Sequence, residues 1–198
     1  MRSKFIGELK PSLCGYLAGA AQGKTLVLLN AAFDLANDGE SVAIFSLEMS
    51  VGHITQRIMK MTGTDDPDKL PHMRLVKLPC GVALSDLVKS IKLAPENIII
   101  LDFLGLISID SESASISQYD VMFKVCDTLR QLSKDEGKCI ITASQLSRTA
   151  VTTGEFNVRE TELLKDLKFK VIKKLDDNRY QIGDTTWKLT EQLTLCED

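Results

Sequence analysis

The run Ile98-Ile-Ile-Leu101, closed by Asp102, constrains this chain more than any other feature. Four consecutive large apolar residues leave no polar side to turn toward water, so the segment reads as a strand buried on both faces. Val42-Ala-Ile-Phe and Cys139-Ile-Ile-Thr-Ala have the same character, and Gly15-Tyr-Leu-Ala is a shorter apolar run. Helical stretches separate them. One, rich in Leu and Ala, runs from about Lys24 to Ala36 and stops at Asn37-Asp38-Gly39. Ser50 is placed to N-cap a second, with Ile54, Ile58 and Met61 on one side. Asp65 to Pro71 reads as a turn-rich loop, Arg74-Leu-Val-Lys-Leu as a strand, and Ser85 opens a short helix. Met122, Val125, Leu129 and Leu132 give helical spacing between Gln118 and Glu136, where Gly137 ends it. Ser111-Glu-Ser-Ala-Ser-Ile-Ser reads as a mobile surface loop. Buried strands alternating with helices predict an α/β fold: a mainly parallel central sheet flanked by helices. Right-handed crossovers gather the loops after the strand C-termini on one edge, where ligands of such sheets bind.

The last forty or so residues change period. Lys168-Phe-Lys-Val-Ile-Lys-Lys-Leu alternates, Asp176-Asp177-Asn178 signals a turn, and Arg179-Tyr-Gln-Ile follows. This predicts a C-terminal antiparallel β-hairpin, with a further strand around Thr186-Trp187, added at the edge of the sheet. The 198 residues are expected to form a single domain, with a core over about 12–148 and a β-rich extension over about 160–198. The net charge of −3 excludes a chain-wide basic footprint but not a local one. No apolar run approaches the roughly 18 residues of a membrane span, and Met1 to Glu8 has no signal-like apolar stretch, so a cytoplasmic protein with no membrane partner is expected. The five cysteines lack C-x-x-C spacing and read as free thiols; His53 and His72 lack spaced partner ligands, which argues against a structural metal site.

Between the first apolar run and the first long helix stands Ala18-Gly19-Ala20-Ala21-Gln22-Gly23-Lys24-Thr25. That is the context a phosphate loop requires. Small residues let backbone N–H groups close around phosphate oxygens, and the helix N-terminus adds its dipole. Lys24 then reaches the β- and γ-phosphates of a nucleotide, and Thr25 holds Mg²⁺. Three polar residues lie at or just past predicted strand ends: Glu48, Asp102 and Gln145. An Asp after four apolar residues suits a Mg²⁺ ligand, a carboxylate on the neighbouring strand suits activation of the attacking water, and a neutral amide senses a γ-phosphate without adding charge.

At these positions the sequence resembles the RecA-like ATPase domain of DnaB-type replicative DNA helicases. The resemblance rests on Ala18-x-x-x-x-Gly23-Lys24-Thr25, Phe45-Ser-Leu-Glu48-Met-Ser, Ile99-Ile-Leu-Asp102-Phe-Leu-x-Leu-Ile and Ser144-Gln145-Leu-Ser-Arg148, and it covers about Gly15 to Arg148. It implies a RecA-like P-loop NTPase that binds ATP and Mg²⁺ at subunit interfaces of a hexameric ring or filament and moves on single-stranded DNA. It implies Lys24 and Thr25 for phosphates and metal, Glu48 as catalytic base, Asp102 as the Walker B acid, and Gln145 as the link from γ-phosphate to DNA. Departures accompany it. The phosphate loop starts at residue 18, leaving no counterpart for the family's N-terminal helical domain. Gly105 stands where the family has Gln, Ser117-Gln118 replaces an Asn-Arg pair, and the region after Arg148 is short. Arg179, with Lys173 and Lys174 nearby, is the candidate for a finger reaching a neighbour's nucleotide, or else a solvated hairpin charge.

Basic residues gather toward the C-terminus at Lys165, Lys168, Lys170, Lys173, Lys174, Arg179 and Lys188. Lys168 and Lys170 on one strand face would contact nucleic-acid phosphates or protect a sheet edge; the spacing serves both. Arg148 and Arg159 flank a loop just past Gln145 and are further candidate DNA contacts. The expectation is a DnaB-like, ATP-dependent helicase or translocase working in DNA replication with other replisome proteins. A RecA-like recombination or strand-annealing ATPase and a weakly active replisome accessory protein are the alternatives.

Overall fold

A computed structural model describes residues 2–3, 7–8, 10–109, 118–165, 167 and 169–197. The Ser111 to Ser117 loop and Lys168 lie outside these residues. Strands β1 (Arg2–Ser3) and β2 (Gly7–Glu8) form a small antiparallel pair. There follow β3 (Ser12–Ala18), α1 (Lys24–Asn37), β4 (Val42–Ser46), α2 (Val51–Thr62), β5 (Met73–Lys77), β6 (Val82–Ala83), α3 (Leu84–Lys92), β7 (Ile98–Asp102) and β8 (Ile107–Ser108). The second half contains α4 (Gln118–Asp135), β9 (Cys139–Gln145), α5 (Arg148–Thr153), α6 (Val158–Lys165), β10 (Lys170–Lys174), β11 (Arg179–Ile182), β12 (Thr185–Leu189) and β13 (Leu195–Glu197).

Nine strands join in the order β13-β12-β11-β10-β3-β9-β7-β4-β5. From β10 to β5 every pairing is parallel, and from β10 to β13 every pairing is antiparallel. The fold is therefore mixed α/β, with a mostly parallel sheet and an antiparallel C-terminal hairpin. The apolar runs divide their side chains by parity. Tyr16, Ala18, Val42, Ile44, Ile98, Ile100 and Ile141 pack with α1 and α2 on one face. Leu13, Leu17, Ala43, Phe45, Ile99, Leu101 and Ile140 pack with α3 and α4 on the other. Both faces are covered, which is why these strands carry no polar alternation.

Helix ends follow the residues foreseen for them. Ser50 Oγ accepts the His53 N–H at 3.3 Å, and Gly63 closes α2 in the left-handed conformation at φ 65°. Asp65 to Pro71 contains one turn of 3₁₀ helix, Pro67–Lys69. The expected placement of the C-terminal strands needs one correction. β10 is not an edge: it lies between β3 and β11, parallel to β3, with Ile172 fully buried. An apolar residue in the middle of the lysine-rich run supplies the reason, since Ile172 gains its burial only with a strand on each side. Three antiparallel strands, rather than one hairpin, extend the sheet from there, and β13 forms its edge.

Candidate functional site

The phosphate-loop residues bridge β3 and α1, at the carboxyl-terminal edge of the parallel sheet. Ala21 takes φ 57° and Gly23 takes φ 91°, so the chain reverses sharply into the helix. A Cβ on Gly23 would lie 2.9 Å from the Tyr180 ring of β11, so glycine is required there by conformation and by space together. The Gln22 N–H donates to the Gly19 carbonyl at 3.3 Å, and Lys24 Nζ donates to the same carbonyl at 3.2 Å. No side chain caps α1, and its first turn holds no acidic residue. The positive end of the helix thus faces the loop without an anion of its own.

Asp102 ends β7 beside Ser46 at the end of β4. It is 3% exposed, and Thr25 Oγ1 donates to its Oδ2 at 2.9 Å. Its Oδ1 is buried with no hydrogen-bond partner. Burial pushes the Asp102 carboxyl up to about 6; the Thr25 hydroxyl opposes this, Glu48 adds to it, and Lys24 and Arg57 oppose it. Burial likewise lowers the Lys24 ammonium from its ordinary value, against the pull of Glu48 and Asp102. The Lys24 ammonium also stands 5.4 Å from the centre of the Phe103 ring.

Glu48 is exposed, two residues past β4, on a turn with its own fastening. Ser46 Oγ donates to the Met49 carbonyl at 2.8 Å and accepts the Met49 N–H at 3.0 Å. Lys77 Nζ donates to the Leu47 carbonyl at 2.8 Å. Gln145 is exposed at the end of β9, in register with Ala18 at the start of the phosphate loop. Lys24, Thr25, Glu48, Asp102 and Gln145, from four strand ends, therefore meet at one edge.

The structure treats the remaining candidates differently. The segment after Gln145 is not a loop but two short helices, α5 and α6. Ser147 caps the first by accepting the Ala150 N–H at 3.1 Å, a signal the sequence reading passed over. Arg148 is exposed. Arg159 is turned inward, with Nη2 donating to the Gln145 carbonyl at 3.0 Å and to Ser144 Oγ at 3.3 Å, so its guanidinium is engaged within the chain. Lys170 is half-buried on β10. Arg179 opens β11 beyond the same edge as the phosphate loop, where its Nε donates to Asp176 Oδ2 at 2.6 Å. Sequence reasoning missed Phe103, Arg57, Tyr180 and the Ser46–Met49 fastening, none of which belongs to a motif with fixed spacing.

The donor set fits a Mg²⁺ ion: a hydroxyl and a carboxylate with an unpartnered buried oxygen are hard ligands beside a phosphate loop. Among the described residues no group of three or more His, Cys, Asp or Glu could hold a metal by itself, which matches an ion that arrives with phosphates rather than one held in a protein cage. The fold and this edge together define a RecA-like NTPase fold. No family profile and no curated protein sequence matches the chain. Solved structures do. A helicase ATPase domain solved by itself superposes with a TM-score of 0.76 at 14% identity, over 94% of this chain and 85% of that one. A DnaB-like replicative helicase, described with its interactions with primase, gives a TM-score of 0.72 at 14% identity; 93% of this chain matches 57% of its length, so this chain spans little more than half of it. The flagellar accessory protein FlaH from Methanocaldococcus jannaschii gives 0.65 at 11% identity, over 97% and 91% of the two chains. The chain thus has the fold of the ATPase domain of DnaB-like helicases. No helix among the described residues is long and apolar enough to cross a membrane.

Proposed function

We propose that this chain hydrolyses Mg-ATP and couples hydrolysis to single-stranded DNA, as a helicase or translocase-type motor. The observation that carries the reading is the buried Asp102, bonded to Thr25 through one oxygen and unpartnered at the other, beside an uncapped helix N-terminus. An unpaired buried carboxylate is costly without a ligand. In this reading the loop N–H groups and Lys24 bind the phosphates, while Thr25 and Asp102 hold the Mg²⁺ that accompanies them. The ion, when bound, neutralises charge between the phosphates. Glu48, free in solvent on its fastened turn, takes the proton of the attacking water. Gln145 meets the γ-phosphate and passes its presence toward α5, where Arg148, with Lys170 on the sheet, faces nucleic-acid phosphates. Arg179, beyond the same edge, reaches the nucleotide of a neighbouring copy in a ring or filament. The DnaB-like structure supports the helicase side and a replisome partner such as primase.

FlaH supports a second reading, an accessory NTPase, because that protein matches this chain over most of both lengths. Mg-ATP turnover by purified protein, with and without single-stranded DNA, separates the two. The motor reading expects turnover stimulated by DNA and abolished by Lys24→Ala and Glu48→Gln. Nucleotide binding with no turnover in either condition sinks it in favour of the accessory reading.

A further inference from the structure

The phosphate site leaves a second polar cluster unexplained, at the start of α6. Asn157 Oδ1 accepts the Glu160 N–H at 2.9 Å, and Glu160 Oε2 accepts the Asn157 N–H at 2.8 Å. This is a reciprocal capping box, a device that ordinarily serves one exposed helix end. Here Glu160 is 0% exposed, and its Oε1 accepts the Ser147 N–H at 2.5 Å while the Ser147 hydroxyl donates to Oε2 at 3.4 Å. Ser147 is itself the cap of α5. One buried carboxylate therefore ties together the starts of two helices and closes the excursion 148–156 at both ends. Of those nine residues only Ala150 is buried.

The neighbouring residue grips the same segment from its other side. Arg159 Nη2 holds the Gln145 carbonyl and Ser144 Oγ. The frame extends to the phosphate loop through α5, because a Cβ on Gly19 would lie 2.9 Å from Val151 Cγ2. The backbone around Gln145 is thus fixed as an acceptor at one residue and as a donor two residues later, by adjacent side chains of α6. A buried carboxylate and an inward guanidinium are costly to place, and their hydrogen bonds all converge on this one strand end.

We infer that Arg159 and Glu160 are positioning residues for hydrolysis: they set the stand of Gln145 toward the γ-phosphate and its distance from the phosphate loop. The inference rests on the ATPase reading above and departs from a DNA-contact role for Arg159. Displacement of a catalytic group by about 1 Å costs on the order of 10²-fold, so loosening this clamp acts on kcat rather than on nucleotide affinity.

The test uses the full chain as wild type, Arg159→Lys, Arg159→Ala, Glu160→Gln and Lys24→Ala. It measures Mg-ATP turnover, amide hydrogen exchange across 144–151, and affinity for a fluorescent single-stranded DNA. The expected result for Arg159→Ala is a kcat lowered about tenfold or more, with KM and DNA affinity within about twofold. Exchange across 144–151 rises in the same variant. Arg159→Lys, which keeps the aliphatic stem and one donor, recovers part of the kcat; if Arg159→Ala does not fold, this variant and Glu160→Gln decide. With an active wild type, an unchanged kcat in Arg159→Lys and Glu160→Gln overturns the positioning role and leaves the ATPase reading standing. Lost DNA affinity with kcat intact makes Arg159 a nucleic-acid contact instead. Wild-type turnover no higher than that of Lys24→Ala removes the ATPase reading, and the positioning role with it.

Discussion

At the carboxyl-terminal edge of the sheet, Asp102 is buried with one oxygen unpaired; at the amino-terminal edge, Glu96 commits both oxygens to Arg74, at 2.6 and 2.8 Å. The same contrast holds for the lysines. Lys138, buried just before β9, donates to the Ala94 and Glu96 carbonyls at 2.6 and 2.9 Å. Lys24 has the Gly19 carbonyl at 3.2 Å and the face of Phe103. The two carboxyl groups titrate in opposite directions. The Arg74 hydrogen bonds hold Glu96 below its ordinary value, whereas burial lifts Asp102 to about 6. A fully satisfied polar network specifies a fold, and a partly satisfied one marks where a ligand completes it. One sheet carries both, at its two ends.

The largest effect that would sharpen this contrast is Lys24→Ala. Turnover of Mg-ATP is expected to fall by at least about 10²-fold, with the melting temperature of the ligand-free protein held or raised, because burial already disfavours this charge. Loss of folding in that variant would place Lys24 with the structural charges instead. Asp102→Asn comes next. Asp102 has its folded value raised above its unfolded one, so the stability it contributes is fully present below about pH 4 and is lost as pH rises through about 6. The asparagine keeps an acceptor for Thr25 and carries no charge. At pH 7 it should stabilise the ligand-free protein by about 2 kcal/mol and flatten the slope between about pH 4 and 6, while abolishing Mg²⁺-dependent turnover. Melts across that window check it, and a destabilised Asp102→Asn at pH 7 would break the contrast.

Sequence patterns separate these two ends unevenly. The functional edge was legible because its residues sit at fixed offsets: Lys24 and Thr25 in the phosphate loop, Asp102 after four apolar residues, Glu48 and Gln145 past strand ends. The strands were legible for the same kind of reason, since Ile98 to Leu101 has no polar face. The Arg74–Glu96–Lys138 network was not, because its members come from three separate segments and meet only once the sheet forms. The parallel seating of β10 escaped for another reason: its alternating lysines read as an edge, and only tertiary contact on both sides of Ile172 overrides that pattern. Arg159 and Glu160 looked like surface charges of a loop, since a capping box carries no signal for whether its carboxylate also reaches another helix.

Glu96→Gln is the matching probe at the amino-terminal edge. The folded value of Glu96 is depressed, so the stability it contributes is present above the ordinary carboxylate range and lost as pH falls through the folded value. Gln removes the charge and one acceptor from Arg74, whose side chain is 43% exposed and therefore partly screened. A destabilisation of about 1 kcal/mol at pH 7 is expected, disappearing in acid, with Mg-ATP turnover per folded molecule unchanged. A loss of turnover without loss of stability would show that the two ends are not separable.

The smallest effect concerns the β10–β11 turn, which projects past the functional edge but carries exposed, satisfied charges. Asp176 Oδ1 accepts the N–H groups of Asn178 and Arg179 at 2.9 and 2.8 Å, and its Oδ2 accepts from Arg179 Nε. By the rule drawn from the two ends, a satisfied charge is structural; by its location, Arg179 belongs with the site. The pair is open to solvent, so Arg179→Ala should leave the melting temperature unchanged within error. If Arg179 serves a neighbouring copy, turnover per site falls several-fold only at protein concentrations, or on DNA lengths, at which copies assemble, while dilute protein is unaffected. Asp176→Ala is the control, because it releases the guanidinium and should leave assembled turnover equal or higher. Equal turnover of Arg179→Ala and wild type under both conditions would assign the turn to structure, and hydrogen-bond satisfaction would then separate the two classes of charge at the hairpin as it does at the two edges of the sheet.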